Sequence, residues 1–225
     1  MLNQTLETGM PTGVAESAAV DAKDRFGVTM AEGLHALAQP LTILRSTVAL
    51  LASPEAPETA RRRYLDLSAE QVQRACDLFE CLQDLVIANQ SEAVRAPFAA
   101  STLIAAATDD PKITLDVSNA SIHVLATGEL PAALGDYART LQALVAALKI
   151  AISLSCAGDC VELRAIASGG SLRMAVTSPR VHGRTLNSSQ RLTLALADAN
   201  IRSQRGRFTF TEDPFSASME LPFAA

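Results

Sequence analysis

Gly33-Leu34-His35-Ala36-Leu37-Ala38-Gln39-Pro40-Leu41 places a histidine five residues before a proline, inside a long amphipathic run. The apolar positions Leu34, Leu37, Leu41, Leu44, Val48 and Leu51 recur three and four apart, a heptad seam that predicts a helix with one face built for packing. His35 stands one step off that seam, so its ring is expected to border the buried stripe while staying open to solvent. Pro40 has no N–H for the Ala36 carbonyl, which costs a helix interior ~3 kcal/mol and predicts a kink beside the histidine.

Working outward, this helix is expected from Ser17 to Ser53, with Gly27 as a weak point, and residues 1–16 are expected to be disordered. The first residues, Met1 to Gly13, are polar and lack the basic flank and apolar core of a signal peptide. Pro54-Glu55-Ala56-Pro57 reads as a tight connector, and Thr59 as the cap of a second helix reaching Ser91. That helix carries a broad apolar stripe of Leu65, Val72, Ala75, Leu78, Phe79, Leu82, Leu85 and Val86. A short connector makes the two helices an antiparallel hairpin over residues 17–92. One hairpin cannot bury two such stripes, so a second copy is expected to complete a four-helix bundle as a homodimer.

From Ala96 the period changes. Pro97 to Ala107 reads as a short helix, and Ile113–Val117 and Ile122–Ala126 as strands. Leu134 to Leu154 reads as a long apolar helix, and Cys160–Ala167 and Leu172–Thr177 as strands around the turn Ser168-Gly169-Gly170. A helix over Ser188–Ser203 and closing strands at Arg207–Thr211 and Ala217–Leu221 complete the pattern. The fold class is therefore α+β: a two-helix hairpin, then an α/β sandwich over residues 96–225 with helices on one sheet face.

Composition narrows the function. A net charge of −5 argues against nucleic acid as a partner, and aromatics at 4% with no Trp offer no stacking platform. Arg61-Arg62-Arg63 reads as a solvated helix face. Cys76 and Cys81 fall on different helix faces, and Cys156 and Cys160 flank Gly158-Asp159. None has metal-ligand spacing to His123 or His182, so no metal site is expected and the four cysteines read as reduced core residues. Leu141 to Ala157 is almost long enough to span a bilayer, but Lys149 near its middle would cost about 2.5–3.5 kcal/mol there. A buried helix of a cytoplasmic protein without membrane contact is the expectation.

His35, Leu37, Pro40 and Leu41 together resemble the H-box of bacterial sensor histidine kinases, whose usual form is His-Glu-Leu-Arg-Thr-Pro-Leu. The resemblance implies that His35 is a phospho-accepting histidine on the first helix of a dimeric bundle. Imidazole suits that role, being a nucleophile near neutral pH. Two positions depart from the pattern. Ala36 stands where an acid usually helps take the proton of the histidine, and Gln39 replaces the usual Thr or Asn but can still offer polar support.

The second half resembles the ATP-binding domain of the same family, with Gly135-Asp136 leading into its N-box helix. By that resemblance, the two asparagines that hold nucleotide and magnesium become Ala146 and Ile150. Ser178-Pro179-Arg180 stands for the Asp-x-Gly-x-Gly loop, and Arg191-Leu192-Thr193-Leu194 for the Gly-Leu-Gly-Leu signature. Magnesium needs oxygen ligands, and phosphate cradles need glycines, so ATP is not expected and no intrinsic cofactor is implied.

The resemblance is nearest to the small histidine phosphotransferases of bacterial phosphorelays. These exchange a phosphoryl group with receiver-domain aspartates of response regulators, and the receiver supplies the Mg²⁺. Two alternatives remain: a non-catalytic pseudokinase or adaptor that binds a response regulator or kinase, and an active sensor histidine kinase. If the missing base limits transfer, Ala36→Asp is expected to speed it.

Overall fold

The computed structural model describes residues 12–53, 57–114, 120–179 and 185–224. Helix α1 (Thr12–Leu51) begins earlier than the sequence suggests, so residues 12–16 are helical and not part of a disordered tail. It is assigned as one helix through Gly27 and Pro40. Helix α2 (Glu58–Gln90) packs along it. Pro57 opens α2 with φ −59° and ψ 147°, and no side chain caps it; Thr59, expected as the cap, already lies in the first turn.

The second half departs locally from expectation. Strand β1 (Ala96–Phe98) precedes helix α3 (Ala100–Thr108), where a single helix was expected. Ile113 sits in a short helical turn, α4 (Pro111–Thr114), not a strand, and the rest of that expected strand lies outside the described residues. Strand β2 (Ala120–Thr127) follows. Leu134 belongs to strand β3 (Ala133–Gly135), which pairs antiparallel with β1, and the long helix α5 begins only at Tyr137 and ends at Leu154. The divider is Asp136, whose carboxylate caps α5 by accepting the Arg139 N–H at 3.2 Å. The Asp136 N–H in turn donates to the buried Gln204 side chain at 2.7 Å.

Strands β4 (Asp159–Ser168), β5 (Ser171–Thr177), β6 (Arg207–Glu212) and β7 (Phe215–Pro222) join β2 in a five-stranded sheet of order β2-β4-β5-β7-β6. Among the described strands, β2 and β4 pair in parallel and the other neighbours antiparallel. Gly169 and Gly170, with φ of 59° and 83°, make the tight β4–β5 turn that a side chain would strain. Alternate residues of β4, β5 and β7 are buried beneath α3, α5 and helix α6 (Ser188–Arg202), forming one core around Leu148, Leu163, Met174, Leu194 and Met219. The expected sandwich, with helices on one sheet face, is what forms.

Helix α6 also faces the hairpin. Leu192, Leu196 and Ala199 pack with Ala36, Leu78, Leu82, Leu85 and Ala88 in a second apolar cluster. Gly33 permits the close approach: a Cβ there would stand 2.6 Å from Leu82 Cδ2 and 3.1 Å from Leu192 Cδ1. Polar bonds fasten the same junction, with Gln142 donating to Asp84 at 2.8 Å and Asn200 to Gln142 at 2.7 Å. Arg139 donates to the Ser91 hydroxyl at 2.6 Å and to that of Ser203 at 2.8 Å.

Two described helical spans, Phe26–Leu51 and Tyr137–Leu154, are long and apolar enough to cross a membrane by length and composition. The second is the core helix α5.

Candidate functional site

His35 lies on the exposed face of α1. It lines a shallow open depression of about 400 Å³ with Ala38, Gln39, Thr42 and Ile43, one and two turns further along the helix. Ala38, Thr42, Ile43 and one carboxamide flank the ring, and the depression is open, so a partner surface can approach it. Gln39 is exposed beside it at the i+4 position, in reach for hydrogen bonding. His35 does not border a stripe that is buried within the single chain. The seam splits: Leu37, Leu44 and Leu51 are half-buried, whereas Leu34, Leu41 and Val48 are exposed.

Ala36 points elsewhere. Consecutive residues on a helix project about 100° apart, and Ala36 is 3% exposed, inside the cluster between α1, α2 and α6. A carboxylate at this position would enter an apolar interface and not reach solvent beside the imidazole.

The positions matched to nucleotide-holding motifs converge only in part. A groove of about 460 Å³ runs between α2, α5 and α6, and Ala146 and Thr193 both line it. Ile150 does not: it is 4% exposed in the sandwich core, because α5 turns that position toward the sheet. The groove residue one turn before Ala146 is Gln142, engaged with Asp84 and Asn200. Arg191 is exposed and ion-paired with Glu212 at 3.0 Å. Thr193 spends its hydroxyl on the Ser189 carbonyl at 3.0 Å. The remaining polar lining includes Asp77, Glu80 and Asp84 of α2 against the single Lys149 of α5.

The start of α6 is closed on itself as well. Asn187 accepts from the Gln190 N–H and the Gln190 side chain accepts from the Asn187 N–H, both at 2.9 Å. This capping box occupies donors that a helix start otherwise offers to an anion.

Burial and the neighbouring Asp84 carboxylate push the Cys81 thiol up to about 11, so it stays protonated at neutral pH. Cys76, Cys156 and Cys160 are exposed free thiols and not core residues as expected, because each falls on a solvent side of its helix, turn or strand. Among the described residues no group of three metal-ligating side chains forms. His123 is exposed on β2, while His182 and Arg180 lie outside the described residues.

A two-helix hairpin leading into this sheet-and-helix layer recurs in solved structures. The chain matches the Acinetobacter baumannii histidine kinase AdeS over 85% of its own length and 98% of that chain, with TM-score 0.64 and 18% identity. It matches the histidine kinase ThkA, solved in complex with the response regulator protein TrrA, over 98% of its length and 69% of that chain, with TM-score 0.69 and 14% identity. The fold is that of a histidine-kinase core. Full-length ShkA, in complex with AMPPNP, matches with TM-score 0.57 and 17% identity, the chain spanning 46% of it. Comparison with protein-family models and with curated proteins finds no match.

Within this histidine-kinase-like fold, His35 and Gln39 share one depression and Ala146 and Thr193 share the groove, whereas the junction between hairpin and α6 was not expected from the sequence. Gly33 and Ala36 carried the available signal: two small residues three apart in an otherwise leucine-rich helix mark a close approach. Asn187-x-x-Gln190 was likewise a readable capping pattern.

Proposed function

We propose that this chain is a histidine phosphotransferase of a two-component phosphorelay, a homodimer in which His35 exchanges a phosphoryl group with receiver-domain aspartates of response regulators. The observation that carries it is the contrast between two places. His35 is exposed in an open depression, whereas the groove holding Ala146 and Thr193 has, among the described residues, its carboxamides engaged, no glycine in its lining and a carboxylate-rich wall. A polyphosphate would meet like charge from Asp77, Glu80 and Asp84 there, and the capping box at the start of α6 already engages the Asn187 and Gln190 N–H groups. The receiver brings the Mg²⁺ and its own acidic site, and the chain has only to present the imidazole.

Dimerisation is supported by exposed rows at heptad spacing on both helices, Leu34-Leu41-Val48 and Leu65-Val72-Phe79. The adaptor reading draws on one observation, Ala36 in place of an acid directly after the histidine.

The test is incubation with a phosphorylated receiver domain and Mg²⁺, without ATP. The expected result is an acid-labile label on the chain that His35→Gln abolishes while melting temperature and mass in solution stay unchanged. Label surviving in His35→Gln would move the acceptor elsewhere. No label from any receiver of the source cell would overturn transfer in favour of the adaptor.

A further inference from the structure

Phosphorylation of a neutral imidazole leaves a proton to be removed. When one ring nitrogen bonds phosphorus, the ring becomes a phosphoimidazolium, and the proton on the other nitrogen needs an acceptor. Ala36 cannot provide one: its methyl group carries no base and is buried in the cluster that includes Leu82, Leu192 and Leu196. The depression around His35 holds Ala38, Gln39, Thr42 and Ile43, none of them ionisable near neutral pH.

Among the described residues, the acids of α6 and of the groove are engaged elsewhere. On α6, Arg191 is engaged by Glu212, and Asp198 by Arg202. On α2, Asp77, Glu80 and Asp84 open into the groove with α5 and α6, which His35 does not line.

Glu32 is placed differently. It is exposed on α1, three residues before His35, so the two share one face with Cβ atoms about 5–6 Å apart. Glu32 takes part in no ion pair among the described residues, and the i,i+3 spacing puts its carboxylate within side-chain reach of the ring.

We propose that Glu32 is the positioning base of His35, taking over from one helical turn upstream the work that Ala36 cannot do. The proposal rests on His35 being a phosphoacceptor. In the forward step the lone pair of one ring nitrogen forms the N–P bond. The P–O bond to the receiver aspartate breaks, that carboxylate leaves with the electron pair, and the proton on the other ring nitrogen passes to Glu32. In the reverse step Glu32 returns the proton and the imidazole leaves neutral. Between steps the carboxylate selects the tautomer that presents a free nitrogen to the phosphorus.

Phosphoramidate, a small phosphoryl donor that needs no receiver, separates this proposal from the transfer reading. Glu32→Gln should slow labelling of His35 about 10- to 100-fold, and Glu32→Asp should recover a substantial part of the rate. Melting temperature should stay unchanged in both. With a phosphorylated receiver as donor, the loss should fall on kcat and leave KM within about twofold, since Glu32 acts on the ring and not on docking. Labelling of Glu32→Gln within twofold of wild type would overturn the proposal, as would a wild-type His35 that phosphoramidate leaves unlabelled. A wild type labelled by phosphoramidate but by no receiver would overturn the transfer reading alone, the Glu32 comparison still standing on the small donor.

Discussion

The hairpin and the sandwich solve the same problem in opposite ways. Both are rich in leucine, valine and alanine, yet the sandwich buries its apolar residues within one chain, with Leu148, Leu163, Met174, Leu194 and Met219 sealed between sheet and helices. The hairpin covers only the sides of α1 and α2 that face each other and α6, leaving Leu34 56% and Phe79 53% exposed in heptad-spaced rows. Each of these half-exposed leucines or phenylalanines forgoes about 1 kcal/mol of burial. The exposed face of the sheet carries no such rows: there Arg164 meets Glu162, and Arg173 meets Glu220. A face built of ion pairs is stable in water, whereas a face built of leucines calls for another protein surface.

The sharpest way to break that comparison is to charge the uncovered rows. Leu41→Asp with Phe79→Asp places four carboxylates in the core of a bundle dimer, at several kcal/mol in total. Both sites are exposed in the single chain, so its own packing is spared. Light scattering at micromolar concentration should show a monomer in place of a dimer, with the thermal unfolding of the sandwich retained. A wild type that is already monomeric would mean that these rows serve a different partner.

The second break falls where the two halves meet. Ala36 joins the hairpin to α6, so Ala36→Asp buries an unpaired carboxylate among leucines and should destabilise the chain by roughly 3 kcal/mol. This reverses the sequence-based expectation that an acid here would speed phosphotransfer. A lower denaturation midpoint and slower labelling should appear together. An Ala36→Asp chain that melts like wild type would show that α6 separates readily from the hairpin in solution.

That reversal marks where the sequence stops being legible. Heptad periodicity identified the hairpin, and alternation identified β4, β5 and β7, because both patterns are local and face one layer. Ala36 belongs to a contact with a helix some 150 residues away, and no local period encodes it. Ile150 stood for the second asparagine by resemblance alone; α5 is apolar on nearly every side, so hydropathy could not show that this position faces the core. The apolar runs around Leu134 and Ile113 were given the wrong element type. A single residue, Asp136, decides the first by breaking strand from helix. The cysteines went wrong through a compositional habit that three exposed thiols contradict.

The smallest effect tests the polar side of the comparison. On the sheet, Glu220 of β7 sits across from Arg173 of β5 and Arg207 of β6. A hydrogen bond from the Ser171 hydroxyl, helped by the Arg173 and Arg207 charges, holds its carboxyl below the ordinary carboxylate range, against a push the other way from burial. A carboxyl whose folded value is lowered adds stability above the unfolded value, and that stability is lost as pH falls through the folded one. Ser171→Ala removes the leading contribution. Solvent screening keeps the effect to roughly 0.2–1 kcal/mol at neutral pH, a shift of one or two degrees in melting temperature. Wild type and variant should converge as the pH is lowered until Glu220 is protonated in both. A gap that persists undiminished in acid would show that Ser171 acts through its other hydrogen bond, to the Ser168 carbonyl in the β4–β5 turn, and not through the charge ladder that keeps this face in water.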